Sequence, residues 1–317
     1  MKTKTKIASR KSQIPRVLVN LPEASDERLD LDKRIKVLKT YKIYIDGKFP
    51  RSESGRYYKL KDSKGNHITN MSRASRKDFR NAVVAARNAV SSWSDRTGFN
   101  RGQIIYRIAE MLETRKAQFI WELVSQGISR ENSVNEVNTA IDRLVYYAGW
   151  ADKYQQIFSS VNPVNASYFN FSVPEPTGVV GIIAPEEFSF IGLISNIIPA
   201  ILGGNTCVVL ASESMPLTAI SFAEVLQSSD VPAGVVNILT GFEKELVSHF
   251  SGHMDVNAII YTRNDPAQIK AIQISATSNL KRIHIRKDQN WMSPESQNPY
   301  IILDNQEIKT IWHPIGF

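Results

Sequence analysis

From Pro176 onward the sequence alternates short apolar runs with stretches of helical periodicity, and this rhythm constrains the fold more than any other feature. Runs at residues 178–183, 206–210, 235–239, 258–261 and 282–285 are of strand length and nearly continuous in apolar residues, as strands buried on both faces are. Helical segments near residues 190–202, 216–227, 244–250 and 266–276 are placed to make right-handed crossovers between parallel neighbours. The pattern predicts an α/β fold built on a doubly wound parallel sheet. Ligands of such sheets bind outside the carboxyl ends of the strands. The stretch Ile182-Ile183-Ala184-Pro185-Glu186-Glu187-Phe188-Ser189-Phe190 falls at one of those ends, where two adjacent carboxylates follow an apolar strand. Both acids also suit the N-terminus of the helix that comes next.

Upstream the periodicities change. Residues 41–49 alternate and reach Asp46-Gly47, the signature of a hairpin. Three helices are expected over residues 79–93, 101–121 and 134–158, each with one apolar stripe, such as Phe79, Val83, Ala86, Val90 and Trp93 in the first. Those stripes read as core. No run reaches the roughly 18–20 uninterrupted apolar residues of a membrane span, because Ser189, Ser195 and Asn196 break the longest candidate. A cytoplasmic protein with no membrane partner is expected.

The formal charge of +8 is concentrated at one end. Residues 1–42 hold twelve Lys or Arg against five Asp or Glu, so the rest of the chain is nearly neutral. A basic flexible tail over residues 1–40 follows, and its lack of interleaved aromatic residues implies no specific nucleic acid partner. The single cysteine, Cys207, excludes an intrachain disulfide, and its apolar setting suits a small buried residue. His249 and His253 have a spacing that metal ligands use on helices, but Ser251-Gly252 intervene and no third ligand is evident. A surface loop and no metal site are expected there.

Five segments, in order and at similar spacing, resemble the NAD(P)-dependent aldehyde dehydrogenase superfamily. They are YYAGWADK at residues 146–153, EPTGVVG at 175–181, GNT at 204–206, Ser212-Glu213 with PLTA at 216–219, and PAGVVNILTG at 232–241. The likeness covers residues 41–304 and implies a Rossmann-like cofactor domain with a helical and hairpin lead-in. It also implies NAD or NADP as cofactor, and in that family an aldehyde is oxidised through a cysteine thiohemiacetal with hydride transfer to nicotinamide.

The departures from the family fall at its functional positions. Where the family has Pro-Trp-Asn-Phe-Pro, whose asparagine amide helps to bind the oxyanion, this chain has Glu187 in the asparagine's place. An ionised carboxylate there repels a developing oxyanion. The family's lysine-proline, whose lysine reaches the adenosine ribose, becomes Leu210-Ala211. Its Phe-Thr-Gly-Ser turn, which lets the cofactor phosphates approach, becomes Tyr261-Thr262-Arg263-Asn264, with arginine at the glycine position. Its general-base segment becomes Ile285-Arg286-Lys287-Asp288-Gln289, so the cation Arg286 replaces the carboxylate. Ser212, Glu213, Pro185 and Thr262 remain as family-like cofactor contacts.

Beyond residue 304 the resemblance implies that the segment carrying the nucleophilic cysteine is absent, with an apolar segment over residues 305–317 in place of the catalytic domain. The chain is expected to be a truncated, catalytically degenerate member, resembling the non-catalytic second copy of family 16, with weak or lost NAD(P) binding. Its expected work is as scaffold or regulatory subunit of a complete aldehyde dehydrogenase, or as a homo-oligomer, with Trp312, Ile315 and Phe317 as anchors. The alternative is an NAD(P)-dependent oxidoreductase acting on an aldehyde through an altered site.

Overall fold

The structure, a computed structural model, describes residues 38–316. Strands β1 (Thr40–Tyr41), β2 (Tyr57–Lys61) and β3 (His67–Ser72) form one sheet ordered β1-β3-β2. Helices α1 (Arg76–Ser94), α2 (Gly98–Thr114), α3 (Lys116–Ser125), α4 (Arg130–Ala148) and α5 (Tyr154–Phe158) follow, then β4 (Ser160–Asn162) and β5 (Tyr168–Pro176). The alternating series is β6 (Val179–Ile183), α6 (Ser189–Leu202), β7 (Thr206–Leu210), α7 (Leu217–Gln227) and β8 (Val236–Leu239). It continues with α8 (Glu243–Gly252), β9 (Ala258–Tyr261), α9 (Pro266–Ala276) and β10 (Arg282–Ile285). After a 3-10 turn at Pro294–Ser296 come α10 (Tyr300–Leu303) and β11 (Gln306–Pro314).

The central sheet has the order β10-β9-β6-β7-β8, and every pair in it is parallel. Period-two alternation within these strands sends side chains to two separate cores. Val180, Ile182, Cys207, Val209 and Ile260 join α6 and α7 on one side, while Val179, Ile183, Val208, Leu210 and Tyr261 join Phe79 of α1 and Phe250 of α8 on the other. This is the doubly wound, Rossmann-like α/β fold that the sequence predicts. A fully buried Val, Leu or Ile side chain is worth about 1.5–3 kcal/mol, so the two apolar layers hold the fold while the polar strand ends are left free to vary. Chain order runs from β6 through β7 to β8 on one side and restarts at β9 on the other, which puts the switch point, and hence the ligand crevice, at the carboxyl ends of β6 and β9.

The lead-in departs from expectation in three ways. The Asp46-Gly47 turn forms, both residues being left-handed (φ 53° and 69°), yet no hairpin ladder grows from it. Tyr44 instead exchanges two backbone hydrogen bonds of 2.8 Å with Ile238 on β8, an edge strand of the central sheet. The second expected helix is two, broken at Arg115, and the third ends at Gly149 before the short α5. Ser75, Thr97 and Ser129 fix the starts of α1, α2 and α4, each hydroxyl accepting from the N–H three residues on.

Residues 305–317 were expected as an apolar segment in place of the catalytic domain, with Trp312, Ile315 and Phe317 as partner anchors; most of the segment forms a strand. Strand β11 pairs antiparallel with β5 from Gln306↔Pro176 to Pro314↔Tyr168, in a sheet ordered β11-β5-β4. One side of this sheet is polar. Asn162 Nδ2 donates to Asn170 Oδ1 (2.6 Å) and Ser172 Oγ (2.9 Å), and Ser172 Oγ lies 2.8 Å from Thr310 Oγ1. The other side carries Val161, Phe171 and Ile311 in one cross-strand row, with Val161 and Ile311 exposed. Trp312 pairs with Asn170 and so faces the polar side, 57% exposed, its ring edge-on to Tyr168. Ile315 is exposed beyond the strand, and Phe317 and residues 1–37 of the basic tail lie outside the described residues. Among the described residues no helix is long and apolar enough to cross a membrane.

Candidate functional site

The switch-point crevice is organised by one guanidinium. Thr262, just past β9, turns its hydroxyl onto the Ile183 carbonyl of β6 (2.7 Å), and Arg263 follows with a side chain only 9% exposed. Its Nε donates to the carbonyl of Ala184 (2.9 Å) and Nη2 to that of Ala211 (3.2 Å), the residues that follow β6 and β7. Its Nη1 donates to Glu243 (2.8 Å) and Glu213 (3.4 Å), and Nη2 lies 2.7 Å from Glu186. Four hydrogen bonds and one further ion pair thus hold the guanidinium.

The carboxylates are themselves fixed. Glu186 accepts from the hydroxyls of Ser212 and Ser214 (both 2.7 Å) and from the N–H groups of Glu213 (3.0 Å) and Ser214 (3.1 Å). Burial by itself pushes the Glu186 carboxyl up, but the Arg263 charge, the Glu213 N–H and the two serine hydroxyls outweigh it and hold the group below the usual carboxylate range. Glu243 accepts from the Tyr261 hydroxyl (2.7 Å), and the Glu213 carboxylate accepts from the Glu243 N–H. Burial, then the bond to Glu243, raises the Tyr261 phenol. Three carboxylates surround one cation, so the crevice is net acidic. A phosphate brought to the ends of β6 and β9 meets a guanidinium already held by its own acceptors and a ring of negative charge.

The remaining sequence-predicted residues are distributed around this centre. Pro185 is buried against Gly192 of α6, where a Cβ would lie 2.3 Å from the proline ring. Glu187 is exposed beside Phe188, which holds a left-handed conformation (φ 50°, ψ 46°), and both line a cavity of about 350 Å³ with Arg263, Asp288 and Trp291. Glu187 makes no hydrogen bond or ion pair among the described residues. Neither it nor Glu186 caps α6. That role belongs to Glu136 of α4, whose buried Oε1 accepts from the N–H groups of Phe190 (3.0 Å) and Ile191 (3.1 Å). Burial raises the Glu136 carboxyl more than the two N–H groups lower it.

Arg286 does not point into the crevice. It donates to Asn196 of α6 (2.7 Å) and to Asp304 (2.6 Å), tying the end of β10 to the helix layer. Leu210 is fully buried in the second core and presents nothing to a ribose, while Ser212 and Glu213 are engaged by Glu186 and Arg263. Cys207 is fully buried in β7, and burial pushes its thiol far up. His249 lies on α8 and His253 caps it, in place of the expected surface loop. Among the described residues no group of three or more His, Cys, Asp or Glu could hold a metal ion.

Comparison with known proteins agrees with this architecture. Residues 49–312 match the Aldehyde dehydrogenase family. An aldehyde dehydrogenase of Aspergillus niger is 33% identical over 76% of this chain and 48% of its own length, and human aldehyde dehydrogenase 1A1 is 32% identical over 76% and 49%. The crystal structure of PnpE from Pseudomonas sp. WBC-3 aligns with a TM-score of 0.74 at 29% identity, covering 78% of this chain and 50% of that one. The NAD+ complex of aldehyde dehydrogenase from Bacillus cereus aligns with a TM-score of 0.75 at 25% identity, covering 78% and 51%. The chain belongs to the aldehyde dehydrogenase family. It spans about half the length of the curated relatives it matches.

Proposed function

We propose that this family member works by association, as a scaffold or regulatory subunit for a complete aldehyde dehydrogenase or for further copies of itself, and that its own dinucleotide crevice is closed. The observation that carries the reading is Arg263, which occupies the switch point, held by four hydrogen bonds and a further ion pair, with three carboxylates around it. NAD(P) does not fit this residue set. Its phosphates need backbone N–H groups that can be approached closely, and here a buried side chain fills that approach. Glu187, at the family's oxyanion position, supplies no donor, and Arg286 is committed to Asn196 and Asp304.

The associating surface in this reading is the sheet β11-β5-β4. Its exposed row of Val161 and Ile311, the neighbouring Phe169, and Trp312 and Ile315 near the end of β11 offer apolar side chains to a partner. The alternative, an NAD(P)-dependent oxidoreductase with an altered site, needs Ser212, Glu213, Pro185 and Thr262 to be available, and three of the four are bonded internally.

Isothermal titration of the purified chain with NAD+ and NADP+ is expected to give no saturable heat, whereas Arg263→Gly combined with Glu186→Gln restores binding. Aldehyde-dependent reduction of NAD(P)+ by the unmodified chain would overturn the proposal. Sedimentation with a co-purified aldehyde dehydrogenase tests the partner, and Ile311→Glu is expected to weaken that assembly.

A further inference from the structure

A basic cavity of about 460 Å³ opens between α1 and α8, sharing no residue with the Arg263 crevice. Arg76, Lys77 and Arg80 of α1 face His249 of α8 and its cap residue His253 across it. The floor is the buried Phe79, whose ring centre lies 6.4 Å from that of His249 and 5.8 Å from that of His253. A spacing of four brings Arg76 and Arg80 to one side of α1. Lys77 has Glu53 at 3.2 Å, but among the described residues Arg76 and Arg80 make no ion pair or side-chain hydrogen bond. His253 Nδ1 accepts from the Asp255 N–H (3.2 Å), so the neutral ring carries its proton on Nε2 as a donor. The start of α1 itself contributes nothing, because Ser75 and Asp78 close it as a capping box.

Two guanidinium forks and two imidazoles therefore surround one space that no carboxylate lines. We propose that this cavity binds a phosphate monoester carried on a small molecule, with Arg76 and Arg80 bonding its oxygens and His249 and His253 completing the shell. A carboxylate brings one charge and two oxygens to this donor set; a phosphate monoester brings nearly two charges and three oxygens, which suits it better. The volume admits a ligand of mononucleotide size.

The surrounding charges favour the same ligand. His249 is held below the usual imidazole range by burial and then by Arg76. His253 is lowered by burial first; Asp255 opposes the shift, and Lys281, Arg80 and Arg87 add to it. A bound dianion reverses that field and raises the pH at which both rings titrate.

Histidine ring resonances of the full chain, followed by NMR at physiological salt, test the assignment, with inorganic phosphate and AMP as probes and adenosine as the uncharged control. Both anions are expected to give saturable shifts at His249 and His253 and to raise their titration midpoints, while adenosine gives neither. Arg76→Gln with Arg80→Gln is expected to weaken AMP binding by about tenfold or more, and Lys59→Gln, elsewhere on the surface, to leave it unchanged. Rings that ignore both anions, or that respond equally to adenosine, overturn the proposal. So does capture by anionic phospholipid vesicles through these residues without any response to the soluble phosphates, which would assign the cavity to a membrane surface.

Discussion

Arg263 and the pair Arg76 and Arg80 are guanidinium groups in opposite circumstances. Arg263 stands where three parallel strands end, and strand ends leave carbonyl groups without ladder partners, so the backbone itself supplies acceptors and the loops add carboxylates. Arg76 and Arg80 project from the flank of a helix whose carbonyls are already used by its own i to i−4 bonds. Charge is the same in both places. Whether a cation closes a space or leaves it ready to bind depends on the acceptors that the local backbone brings. Arg286, with two acceptors, stands between the extremes.

That ordering is open to direct attack by substitution. The largest loss of stability is expected for Arg263→Ala, which leaves three carboxylates facing one another. Breaking a fully buried pair costs about 3–5 kcal/mol, but Glu186 and Glu213 are about a third exposed, which reduces the expected loss to about 2–3 kcal/mol in urea unfolding. A loss below about 1 kcal/mol would break the comparison at its strong end. Arg286→Met removes two hydrogen bonds, one of them to a carboxylate, and about 1–2 kcal/mol is expected in the same assay.

Glu186→Gln keeps an acceptor for Arg263 but removes the charge, for about 1 kcal/mol, and it adds a pH test. Because the folded Glu186 carboxyl sits below its ordinary 4.5, its contribution is fully present above that value and is lost as pH falls through the lowered one. Acid melting profiles of the unmodified chain should therefore fall more steeply in that window than those of the Gln variant; parallel profiles would remove Glu186 from the network. The smallest effect belongs to Arg76→Gln with Arg80→Gln, within about 0.5 kcal/mol of the unmodified chain. A melting loss like that of Arg263→Ala would erase the distinction between the two sites.

The parts of this molecule that the sequence makes legible are those where burial and periodicity agree. Four of the five strands expected from apolar runs appear within a residue of their places, and β10, with Arg282 and His284 in it, also forms where expected. The sheet of β4, β5 and β11 hides because its polarity is inverted: Asn170 and Ser172 are buried while Phe169 is exposed. The break at Arg115 is hidden too, since the apolar residues of α2 and α3 continue one another across it. At the site, arginine in the phosphate turn is visible in the sequence, but its acceptors are not. Glu186, Glu213 and Glu243 are scattered along the chain and meet only because parallel strands deliver their loops to one edge. Glu187 drew notice for its family position; the chain turns at Phe188, and Glu186 is the one directed inward. Glu136, the cap of α6, comes from another helix and leaves no local signal.

Arg263 also behaves as a competitor that cannot be diluted. It is tethered to the crevice, so its local concentration is fixed by the chain and is independent of how much protein or nucleotide is present. Under the proposed function, a dinucleotide enters only those molecules in which the guanidinium has swung away, and its apparent dissociation constant is the intrinsic value divided by that population. If releasing the side chain costs about 2–3 kcal/mol, the open population is on the order of one molecule in a hundred. Such a crevice would need about a hundredfold more nucleotide to fill than one with glycine at residue 263, which under that proposal would decouple the state of this chain from ordinary swings in nucleotide supply.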